Sequence, residues 1–367
     1  MYLILETRSD SPGQSPASLV KVLLASERGD LWEVTWAASE STHAQWALWR
    51  SCRPKTAGEH ANAMRVPQSR GGTGMLGPMS DLDECAVVLT AGYGSRLFPV
   101  TAVVQKSLMP ILNYPVLHYV LADLVAAGVR DIAIVVDQGD RAIGEYVTGV
   151  PTAREELASR GWARKYQAIE AAHTELAAAR FTLIEQDVSS GDYGTAVPAS
   201  LAAEFVGDRC CFYSSGDDLL LAPVGGSNTA DVAALRAAAD GCAAAMQVAR
   251  VPAERKDRYG MVELEARGSG WRLGSLTEKS SAARGSYANI SRYYLTPEAF
   301  RTVCSIGRNP ETGERMITDA LVRLQQDSSV GVSIASGSYY DCGSVDGWHE
   351  ANVAMHRFSR ERPADCR

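Results

Sequence analysis

From Cys85 onward, short unbroken apolar runs alternate with longer stretches in which apolar residues recur every three or four positions. CAVVLTA (85–91), DIAIVVD (131–137), FTLIEQ (181–186), CCFYSSG (210–216) and AAMQVARV (244–251) are short, bounded by charged or turn-forming residues, and read as strands. PVLHYVLADLVAAGV (115–129) and DVAALRAAADGCAA (231–244) carry the helical period. Strands this continuously apolar are buried on both faces. The expected fold class is therefore α/β, a Rossmann-like, largely parallel central sheet with helices on both faces. AREELASRGWARKYQAIEAAHTELAAAR (153–180) falls between the second and third strands, and its mixed charges predict a solvated helical pair.

The first 80 residues differ. They hold Trp32, Trp36, Trp46 and Trp49 but little sustained periodicity, and they end in the loop-like run SRGGTGMLGPMSD. Gly72 to Gly77 fits GxGxxG literally, yet no strand precedes it and Pro78 follows at once, so it is not a phosphate loop. The expected organisation is an extension at 1–82 (disordered, or a mis-assigned start, with Met64, Met75 and Met79 as alternative starts), a main domain at 83–358 and a tail at 359–367.

Composition is globular, at 46% hydrophobic and 22% charged, and the net charge of -7 disfavours nucleic acid or an acidic membrane as partner. No apolar run approaches twenty residues, and the N-terminus makes a poor secretory signal, so a cytoplasmic location is expected. Eight cysteines show no CxxC pair. Cys85, Cys210 and Cys211 lie in strand-like runs and read as buried reduced thiols. The six histidines do not cluster at ligand spacing, and His118 falls within a helix, where packing is its default role.

The chemistry concentrates in VLTAGYGSRLFPVTAVVQKSLMP (88–110). An apolar strand leads into Gly92-Tyr93-Gly94-Ser95-Arg96 and on to Lys106 and Pro110. Such a loop can offer backbone N–H groups to an oxyanion, and the two cations can add charge-assisted contacts to a triphosphate. A dinucleotide fingerprint is excluded because Leu97 stands where its third glycine belongs, and no Gly-Lys-Ser/Thr tripeptide closes a Walker loop. Asp217 and Asp218 follow another strand, so carboxylates and cations share the C-terminal rim of the sheet, where such folds bind ligands.

With these residues in hand the chain resembles the sugar-1-phosphate nucleotidylyltransferases, closest to the bacterial UTP–glucose-1-phosphate uridylyltransferases. The resemblance covers roughly 83–358 and rests on ordered blocks: GYGSR, KSLMP, NYPVLHYVL, AAGVRDI, GDYGTA, SGDD, RYGMVEL, TEK, GERMITDAL and YDCGSVDGW. It implies a nucleotidyltransferase that joins a nucleoside triphosphate, UTP first, to a sugar 1-phosphate, glucose 1-phosphate or a related hexose, and releases pyrophosphate. Arg96 would hold the β- and γ-phosphates, Lys106 the charge at the α-phosphate, and Lys279 the sugar phosphate. Asp217 and Asp341 would hold Mg2+. Gln186, with backbone groups of Ala91, Gly92 and Gly194 and the loop glycine Gly94, would bind the nucleotide; Glu278 and the backbone of Gly260 would read the sugar. Asp218 would cap the segment after it or touch the metal through water. A homo-oligomer is the family expectation. Three departures stand out: Ala102 for a lysine, Ser286 for an asparagine, and Ser291 for a glycine, the last two expected near the sugar. Two alternatives stay open at this point, a relative joining CTP to phosphocholine and a catalytically silent nucleotide-binding subunit.

Overall fold

The computed structural model describes residues 83–223, 227–279 and 285–361, together with the backbone of 4–7, 18–25 and 31–38. The chain divides into two compact units, Met1–Met75 and Leu76–Arg367. In the first, β1 (Ile4–Thr7), β2 (Ser18–Ala25) and β3 (Leu31–Ala38) form an antiparallel meander. The sequence reading did not pick these strands out. The tryptophans at 46 and 49, the literal glycine motif, the alternative starts, Cys52, Cys366, His43 and His60 lie outside the described residues.

In the second unit, β4 (Glu84–Leu89) leads through the glycine loop to the short strands β5 (Pro110–Ile111) and β6 (Tyr114–Pro115) and then to α1 (Val116–Ala126). The chain continues through β7 (Asp131–Asp137), α2 (Ala142–Val147), α3 (Pro151–Ser159), α4 (Gln167–Leu176) and β8 (Arg180–Gln186). After α5 (Val197–Leu201) and α6 (Ala203–Val206) come β9 (Cys210–Ser215), β10 (Asp218–Leu221), α7 (Asn228–Ala238) and β11 (Ala244–Arg250). The remainder comprises β12 (Met261–Arg267), β13 (Gly270–Thr277), β14 (Tyr287–Leu295), α8 (Pro297–Ser305), α9 (Ile317–Asp327), β15 (Val330–Ile334), β16 (Ser338–Asp341) and α10 (Val345–Glu361). The last helix runs through the boundary at 358 expected for a tail.

Nine strands form one sheet in the order β11-β15-β13-β12-β14-β9-β4-β7-β8. The run β9-β4-β7-β8 is parallel, as the unbroken apolar segments require, and β14 adds to β9 antiparallel. Cys85 to Val88 and Ile132 to Val135 are fully buried. Side chains of β4 alternate between two cores. Cys85 and Val87 pack with α8 and α9 residues such as Phe300 and Leu321, whereas Ala86 and Val88 pack with Leu117 and Leu121 of α1 and Leu235 of α7. Helices therefore cover both faces, and what remains exposed at the strand ends is the rim.

Local signals set the helix ends. α1 stops at AAGV with Gly128 at φ 98°; Gly128 N–H donates to Val125 O and Val129 N–H to Leu124 O. This is the Schellman arrangement, which needs a left-handed residue and hence favours glycine. The expected helical pair at 153–180 is present as α3 and α4. The thiols of Cys85, Cys210 and Cys211 are free and buried, as expected. No helix among the described residues is long and apolar enough to cross a membrane.

Candidate active site

Three parallel strands deliver groups to the same rim. β4 ends in the glycine loop, β8 ends at Gln186, and β9 runs into Gly216 and Asp217. Gly216 is required by close approach, since a Cβ there would stand 2.8 Å from the Thr90 methyl and 3.0 Å from Leu89 O. A fourth group arrives from far along the chain. β10 pairs antiparallel with β16 in a register that sets Asp218 opposite Asp341. Pairing two short strands thus brings a third carboxylate beside the SGDD segment.

The cations meet these carboxylates directly. Lys106 Nζ lies 3.0 Å from Asp217, and Arg96 donates to both Asp341 oxygens at 2.8 and 3.3 Å. Ser215 also donates to Asp217, and Gly343 N–H to Asp341 at 3.1 Å. Burial pushes the Asp217 carboxyl up, but Lys106, Ser215 and Arg96 outweigh it, and its pKa falls below the ordinary value. Burial likewise opposes the Lys106 charge, and Asp217 overcomes it, so the ammonium titrates higher than a free lysine. Asp218 differs. Burial, then Asp217, then Asp341 raise its pKa well above the carboxylate range, and its partner is the Tyr339 hydroxyl, which donates at 2.7 Å. Asp218 begins a strand and accepts from Tyr339, so the expected capping role is replaced by one inside the carboxylate group.

Two connected compartments open on this centre. One, of about 700 Å³, is lined by Asp217, Asp218, Asp341, Gly260, Glu278, Lys279, Asn289 and Ser291. The other, of about 310 Å³, is lined by Ala91, Gln186, Tyr193 and Gly194. Arg96, Lys106 and Lys279 face both, so the cations stand at the junction. In the smaller compartment Gln186 is 4% exposed, and its Oε1 is buried with no hydrogen-bond partner among the described residues. An orphaned buried acceptor costs about 1–3 kcal/mol, which a ligand donor would recover. In the larger one, Gly260 lies against the Glu278 carboxylate, 2.6 Å from where a Cβ would stand. Burial raises the Glu278 pKa, partly opposed by Lys279.

The expected site residues converge, whereas Ser286, expected near the sugar, lines neither compartment. The amides of Thr90 and Ala91 donate to Val135 O, and that of Gly92 to the Asp137 carboxylate at 2.9 Å. The start of the loop is thereby fixed to β7, and its first amides are already engaged within the fold. Gly94, at φ 60°, packs against Lys106, with 3.2 Å between a Cβ there and the lysine Cβ. Of the departures, Ser291 lines the large compartment at φ 56°, a conformation suited to glycine, whereas Ser286 and Ala102 are exposed and line neither compartment. Asn289 takes a place in the lining and donates to the Tyr293 hydroxyl at 2.7 Å.

Sequence reading missed Asp137, Tyr193, Gln105 and Tyr339. Asp137 carried a signal, an acid ending an apolar strand on the binding rim. Gln105, which bridges Thr90 O and the Ser107 amide at the foot of the Lys106 turn, carried none.

The nucleotidyl transferase family profile matches residues 85–357, which include every one of these groups. The chain belongs to the nucleotidyl transferase family. It is 29% identical over 272 residues to the UTP–glucose-1-phosphate uridylyltransferase of Bacillus subtilis, covering 72% of this chain and 87% of that one. The enzyme of the same name from Pseudomonas aeruginosa is 28% identical over 264 residues, 71% of this chain and 91% of that one. Among solved structures, an apo UDP-glucose pyrophosphorylase superposes with a TM-score of 0.65 at 22% identity, over 75% of this chain and 99% of that one. A UDP-glucose pyrophosphorylase complexed with UDP-glucose gives 0.62 at 23% identity, over 75% and 98%. These likenesses bear out the expected fold, and the family bears out an enzyme that transfers nucleotidyl groups. They disfavour the silent-subunit alternative together with the intact Lys106, Asp217 and Asp341.

The donor set also fits a hard divalent cation. Asp217 and Asp341 both present an oxygen to Gly343, where a Cβ would stand 2.8 Å from the first carboxylate, 3.1 Å from the second and 2.8 Å from the Arg96 guanidinium. A side chain at this position would crowd all three groups. Among the described residues no three acidic, cysteine or histidine side chains close a complete ligand shell. Two carboxylates completed by water and phosphate oxygens are what Mg2+ prefers.

Proposed function

We propose that the chain transfers the uridylyl group of UTP to the phosphate of a hexose 1-phosphate, glucose 1-phosphate first, with Mg2+ held by Asp217 and Asp341. The observation that carries this reading is the junction of the two compartments at the Lys106–Asp217 pair. One compartment ends in a buried amide and the other in a carboxylate. The names of the relatives from Bacillus subtilis and Pseudomonas aeruginosa support the same substrates.

The orphaned Gln186 Oε1 suits the imide N3–H of uracil, and its Nε2 suits the neighbouring carbonyl of the base. Lys106 then stands at the α-phosphate and Arg96 near the leaving β- and γ-phosphates. Lys279, exposed to both compartments, takes the sugar phosphate. Glu278 accepts from sugar hydroxyls beside the close-packed Gly260. An oxygen of the sugar phosphate forms a bond to the α-phosphorus as the bond to the bridging oxygen of pyrophosphate breaks. No protein nucleophile is needed; positioning and charge neutralisation carry the rate. Mg2+, when bound, would add neutralisation of phosphate charge and order the phosphate oxygens. Without substrate, Asp217 and Asp341 keep Lys106 and Arg96 paired, which holds these cations at the junction.

The test is pyrophosphate release with Mg2+ across UTP, dTTP and CTP, each against several hexose 1-phosphates and phosphocholine. Release with UTP and a hexose 1-phosphate, abolished by Asp217→Ala, is expected. Release confined to CTP with phosphocholine would overturn the substrate assignment.

A further inference from the structure

Tyr193 takes no part in the chemistry described above, yet it lines the Gln186 compartment and leaves 40% of its surface open. Its backbone is tightly held. Tyr193 O accepts from Arg315 N–H at 2.8 Å, and Ala196 N–H donates back to Arg315 O at 2.9 Å. The Asp192 carboxylate pairs with Arg315 at 2.9 Å and with Arg308 at 3.4 Å. Gly194, at φ 124°, lies so close to Arg315 that a Cβ would come within 2.3 Å of its carbonyl oxygen. An open aromatic ring thus sits on a backbone fixed from both sides.

The hydroxyl of that ring faces the glycine loop, 3.6 Å from where a Cβ on Gly92 would stand, in a compartment that Lys106 also lines. Among the described residues no group hydrogen-bonds it. Gln186 marks the base end of the bound nucleotide, and Lys106 with Asp217 marks the α-phosphate end. The ribose is the covalent link between these ends, and Tyr193 lines the compartment that holds both Gln186 and Lys106.

The geometry points to Tyr193 as a specificity-determining residue whose phenol oxygen hydrogen-bonds a ribose hydroxyl, favouring ribonucleotides over their deoxy forms. This rests on the nucleotide assignment above. A neutral hydrogen bond of this kind is worth a factor of roughly three to ten in binding. It exists before the transition state as well as in it, so it is read in KM more than in kcat.

The experiment compares wild type and Tyr193→Phe with UTP, 2′-deoxy-UTP and 3′-deoxy-UTP at fixed Mg2+ and glucose 1-phosphate. The substitution removes one oxygen from a partly exposed ring, and an unchanged thermal midpoint would verify that the fold is retained. With UTP, kcat/KM is expected to fall roughly three- to tenfold, mostly through KM. With the analogue that lacks the contacted hydroxyl, the two proteins should agree within about twofold, which also identifies the hydroxyl. Equal losses on all three nucleotides, or no loss on UTP, would overturn the inference. If wild type is inactive with uridine nucleotides but active with another base, the base assignment fails. The same comparison with the deoxy forms of that base then decides the role of Tyr193.

Discussion

Replacing Lys106 by methionine separates what the Lys106–Asp217 pair does for folding from what it does for catalysis. The two charges lie 3.0 Å apart, with side chains 21% and 7% exposed. At an effective dielectric of about 20, their attraction is about 5.5 kcal/mol. Lys106→Met leaves Asp217 buried beside Asp218 and Asp341, with Arg96 as the remaining cation acting on it. A buried charge stripped of its partner costs about 3–5 kcal/mol, and protonation of the carboxyl limits that cost, so a loss of about 2–4 kcal/mol at pH 7.5 is expected. The sign with pH follows. Asp217 in wild type titrates below the ordinary value, so its contribution is present above that value and lost as pH falls through the folded pKa. The gap between wild type and Lys106→Met should therefore narrow on acidification. Adding Asp217→Asn removes the stranded charge and should restore most of the lost stability. Activity should not return, because removing one preorganised cation from a developing charge costs about 100- to 1,000-fold in kcat. Urea unfolding of the four proteins of the cycle, with pyrophosphate release on each, makes the measurement. Losses that simply add in the double variant would refute the energetic pairing. A kcat within tenfold of wild type for Lys106→Met would refute its place at the α-phosphate.

Two glycines with positive φ should respond differently to alanine. Gly128→Ala, in open space at φ 98°, is expected to cost about 1 kcal/mol in stability with activity unchanged. Gly194→Ala, which drives a Cβ to 2.3 Å from Arg315 O, should cost about 2 kcal/mol or more and raise the KM for the nucleotide, read by thermal melts and initial rates. Ser291→Gly relieves a left-handed backbone at φ 56° and should stabilise the chain by about 0.5–1 kcal/mol, measured by urea midpoint. Burial holds the His118 imidazole below its ordinary pKa of 6.5, although Glu175 at 3.1 Å opposes this. A histidine depressed in the fold contributes stability above its unfolded pKa and loses it as pH falls. The thermal midpoint should therefore decline below about pH 6.5, and less steeply in His118→Gln.

The sequence by itself determined the parallel half of the sheet and the groups at its strand ends. The apolar runs at 85–91, 131–137 and 210–216 are buried on both faces, and a continuously apolar strand of that length is stable only inside a covered parallel sheet. The run at 181–186 instead forms the edge of the sheet, with Thr182, Leu183 and Glu185 exposed. Arg96 and Asp217 were legible because each follows such a run closely and Lys106 because it shares the glycine-loop segment, whereas Gln186, the last residue of its run, was singled out by the family resemblance. The AAGV stop of α1 was legible for the same local reason. Tertiary structure alone decided the remainder. Asp341 reaches Asp217 through the β10–β16 register, and the same pairing places Tyr339 on Asp218; no local pattern encodes which two short strands will pair across more than a hundred residues. The capping role expected for Asp218 failed because its partner comes from that distant strand. The amides of Thr90, Ala91 and Gly92, which lead into the glycine loop, are held by Val135 and Asp137 on the neighbouring strand. Ser286 and Ala102 are departures in sequence that line neither compartment, whereas Asn289 and Ser291 enter the lining. Residue type and spacing fix which chemistry is available near a strand end. Which polar groups remain free for a ligand depends on partners that only packing supplies.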